Sequence, residues 1–203
     1  MATPTRFSIT GFEPFGKFSQ NPSELIVREL ANKTFDKCLV DTLVLPVSFQ
    51  NSATIIKQWL NDHHPYDYII SFGLANSRQC LSLERIGINC MDASKPDNDN
   101  VLPQDLPIDP AGPPAIFSTL PIKMMKTCLG ETTEIPIKIS NSAGTYVCNT
   151  LLYTTLNEIS KKGLSTKCGF IHLPSPQLMP HKDIVSVAIT LIQNLRTQSQ
   201  FGG

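Results

Sequence analysis

Short apolar runs of strand length alternate with longer helical repeats along almost the whole chain, and that alternation limits the fold more than any other feature. "RFSIT", "CLVDTLVLPVS", "YDYIISFGLA", "RIGINCMD", "IPIKIS" and "CGFIHLP" read as strands. "NPSELIVRELANK", "FQNSATIIKQWLNDH", "LPIKMMKTCLG", "CNTLLYTTLNEISKKG" and "DIVSVAITLIQNLRTQ" read as helices. Strands and helices taking turns predict an α/β/α sandwich in three layers, with a mostly parallel or mixed central sheet covered on both faces. With 203 residues, the chain has the size of one domain with a substantial core.

Local signals set several boundaries. Asn21 caps the first helix and Pro22 takes its first position, where a missing N–H costs nothing. The first strand is expected to break at "GFEPFG", and "SFGLA" to run into a glycine turn. The proline-rich stretch at about 94–121 predicts a long irregular excursion, which in a compact domain is disordered or functional.

Composition removes some functions. Lys+Arg and Asp+Glu are equal at 17 each, without a basic block or a basic stripe interleaved with aromatics, so nucleic acid and anionic membrane are not expected partners. No apolar run reaches membrane-span length and "MATPTRFSIT" lacks a signal-peptide core, so a cytoplasmic location is expected. Cysteines 38, 80, 90, 128, 148 and 168 form no CxxC pair and no zinc-ligand spacing with the four histidines. They are expected to be free and mostly buried, with no metal or other cofactor.

In open α/β sheets the reactive crevice lies beyond the carboxyl ends of the strands, which here carry "GFEPFG", "FGLANSR", "SAGTYVC" and "IHLP". Cys148 follows a small-residue turn, Ala143-Gly144, and enters the first turn of a helix, where unpaired N–H groups and the dipole favour a thiolate and can hold an oxyanion. Simple packing of a small thiol is its other reading. His172, at the end of a predicted strand, is placed to act as the base for that thiol, and also suits a satisfied core histidine. His63 and His64 before Pro65, and His181, read as surface residues. Glu84, framed by apolar residues at the start of a predicted strand, either orients the imidazole or forms an internal ion pair with Arg85 or Arg78.

Four segments in order, "ITGFEPFGKFSQNPS", "ERIGIN", "SNSAGTYVCN" and "GFIHLPSPQ", resemble the pyroglutamyl peptidase I family of cysteine peptidases over nearly the whole chain. The resemblance implies a single α/β domain over residues 1–203, no metal, and a homo-oligomer, dimer or tetramer. It implies a Cys148 nucleophile, a His172 base and acid, and an orienting Glu84. The substrate it implies is a small peptide whose N-terminal residue is cyclised to pyroglutamate. That ring is flat, small and uncharged, and calls for apolar walls with a few backbone hydrogen bonds.

Phe12 and Phe15 match the family's ring-flanking aromatics, Tyr146 and Val147 its pocket wall, and Asn21 a position whose backbone meets the lactam. Asp97 matches an acidic position near the site, and equally suits a turn after Pro96. Two departures stand out. Leu74 stands where the family's "GQAGGR" has a Gln that lines the lactam pocket, a substrate contact Leu74 still makes if it runs through the backbone carbonyl; Asn76 and Ser77 replace the Gly-Gly, and Ser94 and Lys95 replace an Arg and an Ile. A non-catalytic homologue that binds or scaffolds with a drifted substrate loop is therefore the competing expectation. A phosphate-dependent nucleoside-processing enzyme is disfavoured, because "GFEPFG" is acidic and aromatic and makes no phosphate cradle.

Overall fold

Among the described residues eight strands and five helices take turns as the sequence patterns predict, except for a run of four strands between the second and third helices, with two strands more than those patterns reveal. The computed structural model describes residues 3–199 other than Lys17 and His64, so the reading of His64 lies outside the described residues. Six strands make the main sheet in the order β2 (Cys38–Leu45), β1 (Thr5–Phe12), β3 (Tyr68–Leu74), β8 (Lys167–Leu173), β4 (Leu81–Glu84), β7 (Ile137–Ser140). β5 (Ile86–Ile88) and β6 (Ala115–Phe117) pair separately as a small antiparallel ribbon.

β1, β2, β3 and β8 are parallel, while β4 runs antiparallel to β8 and parallel to β7. The sheet is thus mixed, four strands one way and two the other. Helices α1 (Pro22–Ala31), α3 (Ile122–Gly130) and α5 (His181–Ser199) bury Ile26, Leu30, Met125, Leu129, Ile184 and Leu191 on one face, against Phe7, Ile9, Ile70 and Phe72. On the other face, α2 (Phe49–Asp62) and α4 (Val147–Lys161) bury Ile56, Leu60, Leu151 and Leu152 against Phe12, Ile69, Cys168 and Phe170. β3 feeds both cores, Tyr68, Ile70 and Phe72 on one face and Ile69 on the other, which is why it reads as a nearly continuous apolar run.

Asn21 caps α1 as expected, its Oδ1 accepting the Ser23 N–H at 3.1 Å, an arrangement worth about 1 kcal/mol. Three local expectations are corrected. β1 does not break at Gly11 but continues to Phe12, because its ladder with β2 runs on through Gly11↔Val44 and Phe12↔Leu45. Glu84 ends a strand of its own, β4, rather than starting one, and "RIGINCMD" contributes only the three residues of β5. Gly73 sits inside β3 rather than in a turn.

The proline-rich stretch is an ordered arm. The Met91 and Leu106 backbones bridge, the Asn89 side chain bonds the Asp109 N–H and carbonyl, Gln104 donates to the Ala93 carbonyl, and the segment supplies β6. All six cysteines are free, but only Cys168 is fully buried, correcting the expectation that most would be. Among the described residues no helix is long and apolar enough to cross a membrane, and no cluster of His, Cys, Asp or Glu is grouped to hold a metal ion.

Candidate active site

β8 and β4 bring the first two candidate residues together. In their antiparallel register Ser82 faces His172 and Glu84 faces Phe170, so Glu84 stands diagonally from His172 on the same face. Glu84 Oε1 lies 2.8 Å from His172 Nδ1. Both side chains are buried, Glu84 completely. The same Oε1 accepts a bond from Arg78 Nη1 at 2.5 Å, so the ion pair weighed for Glu84 and its contact with imidazole coexist, and the partner is Arg78 rather than Arg85.

The third residue arrives from the facing helix. Gly73 pairs with His172 across the parallel β3–β8 ladder, so a side chain at 73 would project to the same face as the imidazole. The Cys148 sulfur occupies that space: a Cβ built on Gly73 would meet Cys148 Sγ at 3.0 Å and Phe170 Cζ at 2.7 Å. The absence of a side chain on β3 leaves the thiol its place on the sheet face that the histidine shares. Phe170 walls the imidazole from below, their ring centroids 4.8 Å apart.

Cys148 is the second residue of α4, whose first backbone bonds run from the Asn149 and Thr150 N–H groups to the Tyr146 carbonyl. The Val147 and Cys148 N–H groups precede that first turn, where helix N–H groups have no intrahelical acceptor and can face an anion, and the Cys148 N–H is directed at its own sulfur. β7 runs against β8, so the connector 141–146, and not the strand's own end, carries the chain to this point. Gly144 bends it with φ +80°, and Thr145 pins it by donating to the Asp92 carbonyl at 2.6 Å.

The electrostatics correct one expectation. Burial pushes the Cys148 thiol up to about 12, the Glu84 charge adds to the rise, and Arg78 and the residue's own N–H oppose it. Helix-start stabilisation therefore loses to desolvation, although one side of the residue borders the pocket. Burial also holds the His172 imidazole below its ordinary value; Glu84 pulls it back up and Arg78 pushes it further down. Both directions favour a neutral thiol and a neutral imidazole at rest.

A pocket with about 290 Å³ of open space leads to the sulfur, lined by Phe12, Phe15, Asn21, Val47, Leu74, Tyr146, Val147 and Cys148. All six expected pocket residues border it. Val47 is the member that sequence reading missed, since nothing separates it from the other apolar residues following β2.

Asn21 spends its side chain on α1 and on the Glu13 carbonyl, leaving its main chain to the pocket. Strand alternation sends the Leu74 side chain to the face opposite Gly73, so residue 74 likewise borders the pocket through its main chain. Tyr146 packs edge-on against Phe49 at 5.2 Å and donates its hydroxyl to the Pro96 carbonyl.

Asp97 does not line the pocket. Its buried carboxylate accepts the N–H groups of Phe49, Asp99 and Val101, organising the arm on which Tyr146 leans. Of the departures, Ser94 and Lys95 are exposed on that arm, and Asn76 and Ser77 lie in the exposed turn between β3 and β4.

The family model for pyroglutamyl peptidase matches residues 5–194. The chain is 43% identical over 166 residues to the pyrrolidone-carboxylate peptidase of Thermococcus onnurineus, covering 82% of each chain. It is 42% identical to that of an Enterobacter species over 82% of this chain and 76% of the relative. A solved mutant of the pyrrolidone carboxyl peptidase of the hyperthermophile Pyrococcus furiosus superposes with a TM-score of 0.89 at 34% identity, covering 97% of this chain and 100% of that one.

Proposed function

Because the chain belongs to the pyroglutamyl peptidase family, we propose that it works as a cysteine exopeptidase that removes an N-terminal pyroglutamyl residue from peptides, with Cys148, His172 and Glu84 as its catalytic residues. One observation carries the assignment of residues: the pocket lined by Phe12, Phe15, Tyr146 and Val147 opens directly on Cys148. Its walls are mainly apolar, and apart from Cys148 its polar side chains are engaged elsewhere: Asn21 bonds Ser23 and the Glu13 carbonyl, and the Tyr146 hydroxyl donates to the Pro96 carbonyl. Such a pocket suits a neutral lactam and offers no counter-charge to a free N-terminal ammonium.

In this reading His172 Nε2 takes the Cys148 proton as the sulfur attacks the pyroglutamyl carbonyl, while Glu84 holds Nδ1–H and stabilises the imidazolium that forms. The Val147 and Cys148 N–H groups receive the oxyanion. His172 returns the proton to the departing peptide amine, leaving a thioester, and water activated by the same imidazole hydrolyses it to release pyroglutamate and the free thiol. The main-chain contact at residue 74 keeps the lactam site intact although Leu stands there. The same reading takes residues 1–203 as one domain, located in the cytoplasm and assembled as a homo-oligomer of two or four chains.

Release of a fluorophore from a pyroglutamyl amide, with a prolyl amide as control, tests the proposal. Wild type cleaves the first and spares the second, and Cys148→Ala cleaves neither. Cleavage that survives Cys148→Ala removes the assigned nucleophile. An inert wild type favours a homologue that binds without turning over.

A further inference from the structure

We propose that Arg78 is a positioning residue for this reaction, acting through the Glu84 carboxylate and through the connector that delivers Cys148. The inference rests on the reading of Glu84, His172 and Cys148 given above.

A fully buried carboxylate is costly unless a cation neutralises it. The imidazole does not do so at rest, because its environment favours the neutral form. Among the described residues, the cation bonded to Glu84 is Arg78, through Nη1 to Oε1. That oxygen receives both Arg78 and His172, while Oε2 is buried without a partner, so the guanidinium and the imidazole converge on one atom.

The other arm of the guanidinium donates from Nη2 to the Ser142 carbonyl at 3.0 Å, in the connector between β7 and α4. One planar group therefore sets the distance between the orienting carboxylate and the segment leading to the nucleophile. A lysine ammonium, a point charge on a flexible stem, does not reproduce that fork. The charged and titratable groups around Glu84 are His172 from β8, Arg78 from the β3–β4 connection and Cys148 from α4. Removing the guanidinium leaves the carboxylate free to hold an imidazolium, so protonated His172 gains.

The test compares wild type, Arg78→Gln and Arg78→Lys on the pyroglutamyl amide across pH, with His172 titrated by NMR in each protein. For Arg78→Gln, we expect kcat to fall by about 10² with KM within about threefold, and both the acid limb and the His172 titration to move to higher pH. Arg78→Lys keeps the charge, so its limb stays with wild type while kcat falls about tenfold from the lost fork. The NMR titration needs no turnover. An inert wild type sinks the catalytic reading and this inference together, whereas an active wild type matched in kcat by Arg78→Gln sinks this inference alone. A loss of activity in Arg78→Gln with limb and titration unmoved also overturns it, as the mark of a mere loop anchor. Should Arg78→Gln fail to fold, Arg78→Lys with wild-type kcat is the overturning result.

Discussion

Gly73 and Cys148 share one volume: the sulfur of the helix residue fills the place where a strand side chain would stand, 3.0 Å from a Cβ at 73. The strand partner of Gly73 is His172, so the vacancy in β3 gives the sulfur a place on the sheet face that carries the imidazole. Gly73→Ala is expected to displace both Sγ and the Phe170 ring. Overpacking of this kind costs about 1–3 kcal/mol, and a misplaced nucleophile costs about 10² in kcat/KM. Activity and melting temperature measured together check it, and an alanine variant with wild-type kcat/KM contradicts the packing argument.

Glu84→Gln preserves the shape of the buried side chain and removes its charge. Imidazolium formed during attack then lacks its stabiliser and Arg78 loses its counter-ion, so kcat is expected to fall by about 10²–10⁴ with little change in KM. Equal losses in kcat and kcat/KM, read from saturation curves, are the expected signature. A change confined to KM would assign Glu84 to substrate binding.

The directions at Cys148 and His172 fix the sign of the pH response. In the proposed mechanism His172 must be neutral to act as base, and its folded value is lowered from the ordinary 6.5. The acid limb of kcat/KM is therefore expected below about pH 6.5, as an apparent constant of the pair. Stability follows the same sign. The unfolded imidazole protonates first, so this contribution is present above about pH 6.5 and fades as pH falls toward the folded value. Melting temperature against pH for wild type and His172→Gln measures it: the acid-side slope is expected to be shallower in the variant.

The alternation of patterns was enough to read three layers from the sequence, and the positions of Cys148, His172 and Glu84 at element ends were enough to nominate them. The direction of β4 and β7 was not legible. A four-residue strand with a Glu at its end carries no periodicity to separate it from β5, and strand direction depends on pairing partners distant in sequence. The thiol's electrostatics were also hidden. Helix position is local and readable, while the desolvation that outweighs it comes from residues of β3 and β8 packed around the sulfur. Asp97 shows the same limit, for a turn-forming acid and an acid near the site look alike until its three backbone partners are known.

Asp97 supports the pocket from behind. Its carboxylate gathers N–H groups from Phe49, Asp99 and Val101, joining the start of α2 to the arm whose Pro96 carbonyl accepts the Tyr146 hydroxyl. Asp97→Ala leaves buried donors unpaired and is expected to cost about 3 kcal/mol, at the upper end for a charged hydrogen-bond acceptor. With the arm loosened, KM is expected to rise more than kcat falls, since Tyr146 walls the pocket while the Cys148–His172–Glu84 geometry rests on other elements. Asp97→Asn keeps one acceptor oxygen and should fall between the two. A denaturant midpoint and a kinetic split for both variants check this, and an unchanged KM in a destabilised Asp97→Ala would separate the arm from substrate binding.

Leu74→Gln tests whether the pocket recognises its ligand at that position through main chain or side chain. Alternation along β3 turns the residue 74 side chain away from the face that Gly73 shares with Cys148, so a glutamine amide gains no direct reach to the ligand. The side chain is almost fully buried, at 8% exposure, so exchanging it for a polar one is expected to cost about 1–3 kcal/mol of stability. Catalysis is expected to change little, with kcat/KM within about threefold of wild type below the melting transition, well short of the about 10–200-fold that a gained or lost specific contact commands. A Leu74→Gln enzyme that turns over the pyroglutamyl amide tens of times faster would mean that the side chain reaches the lactam, and that the leucine holds this active site below its capacity.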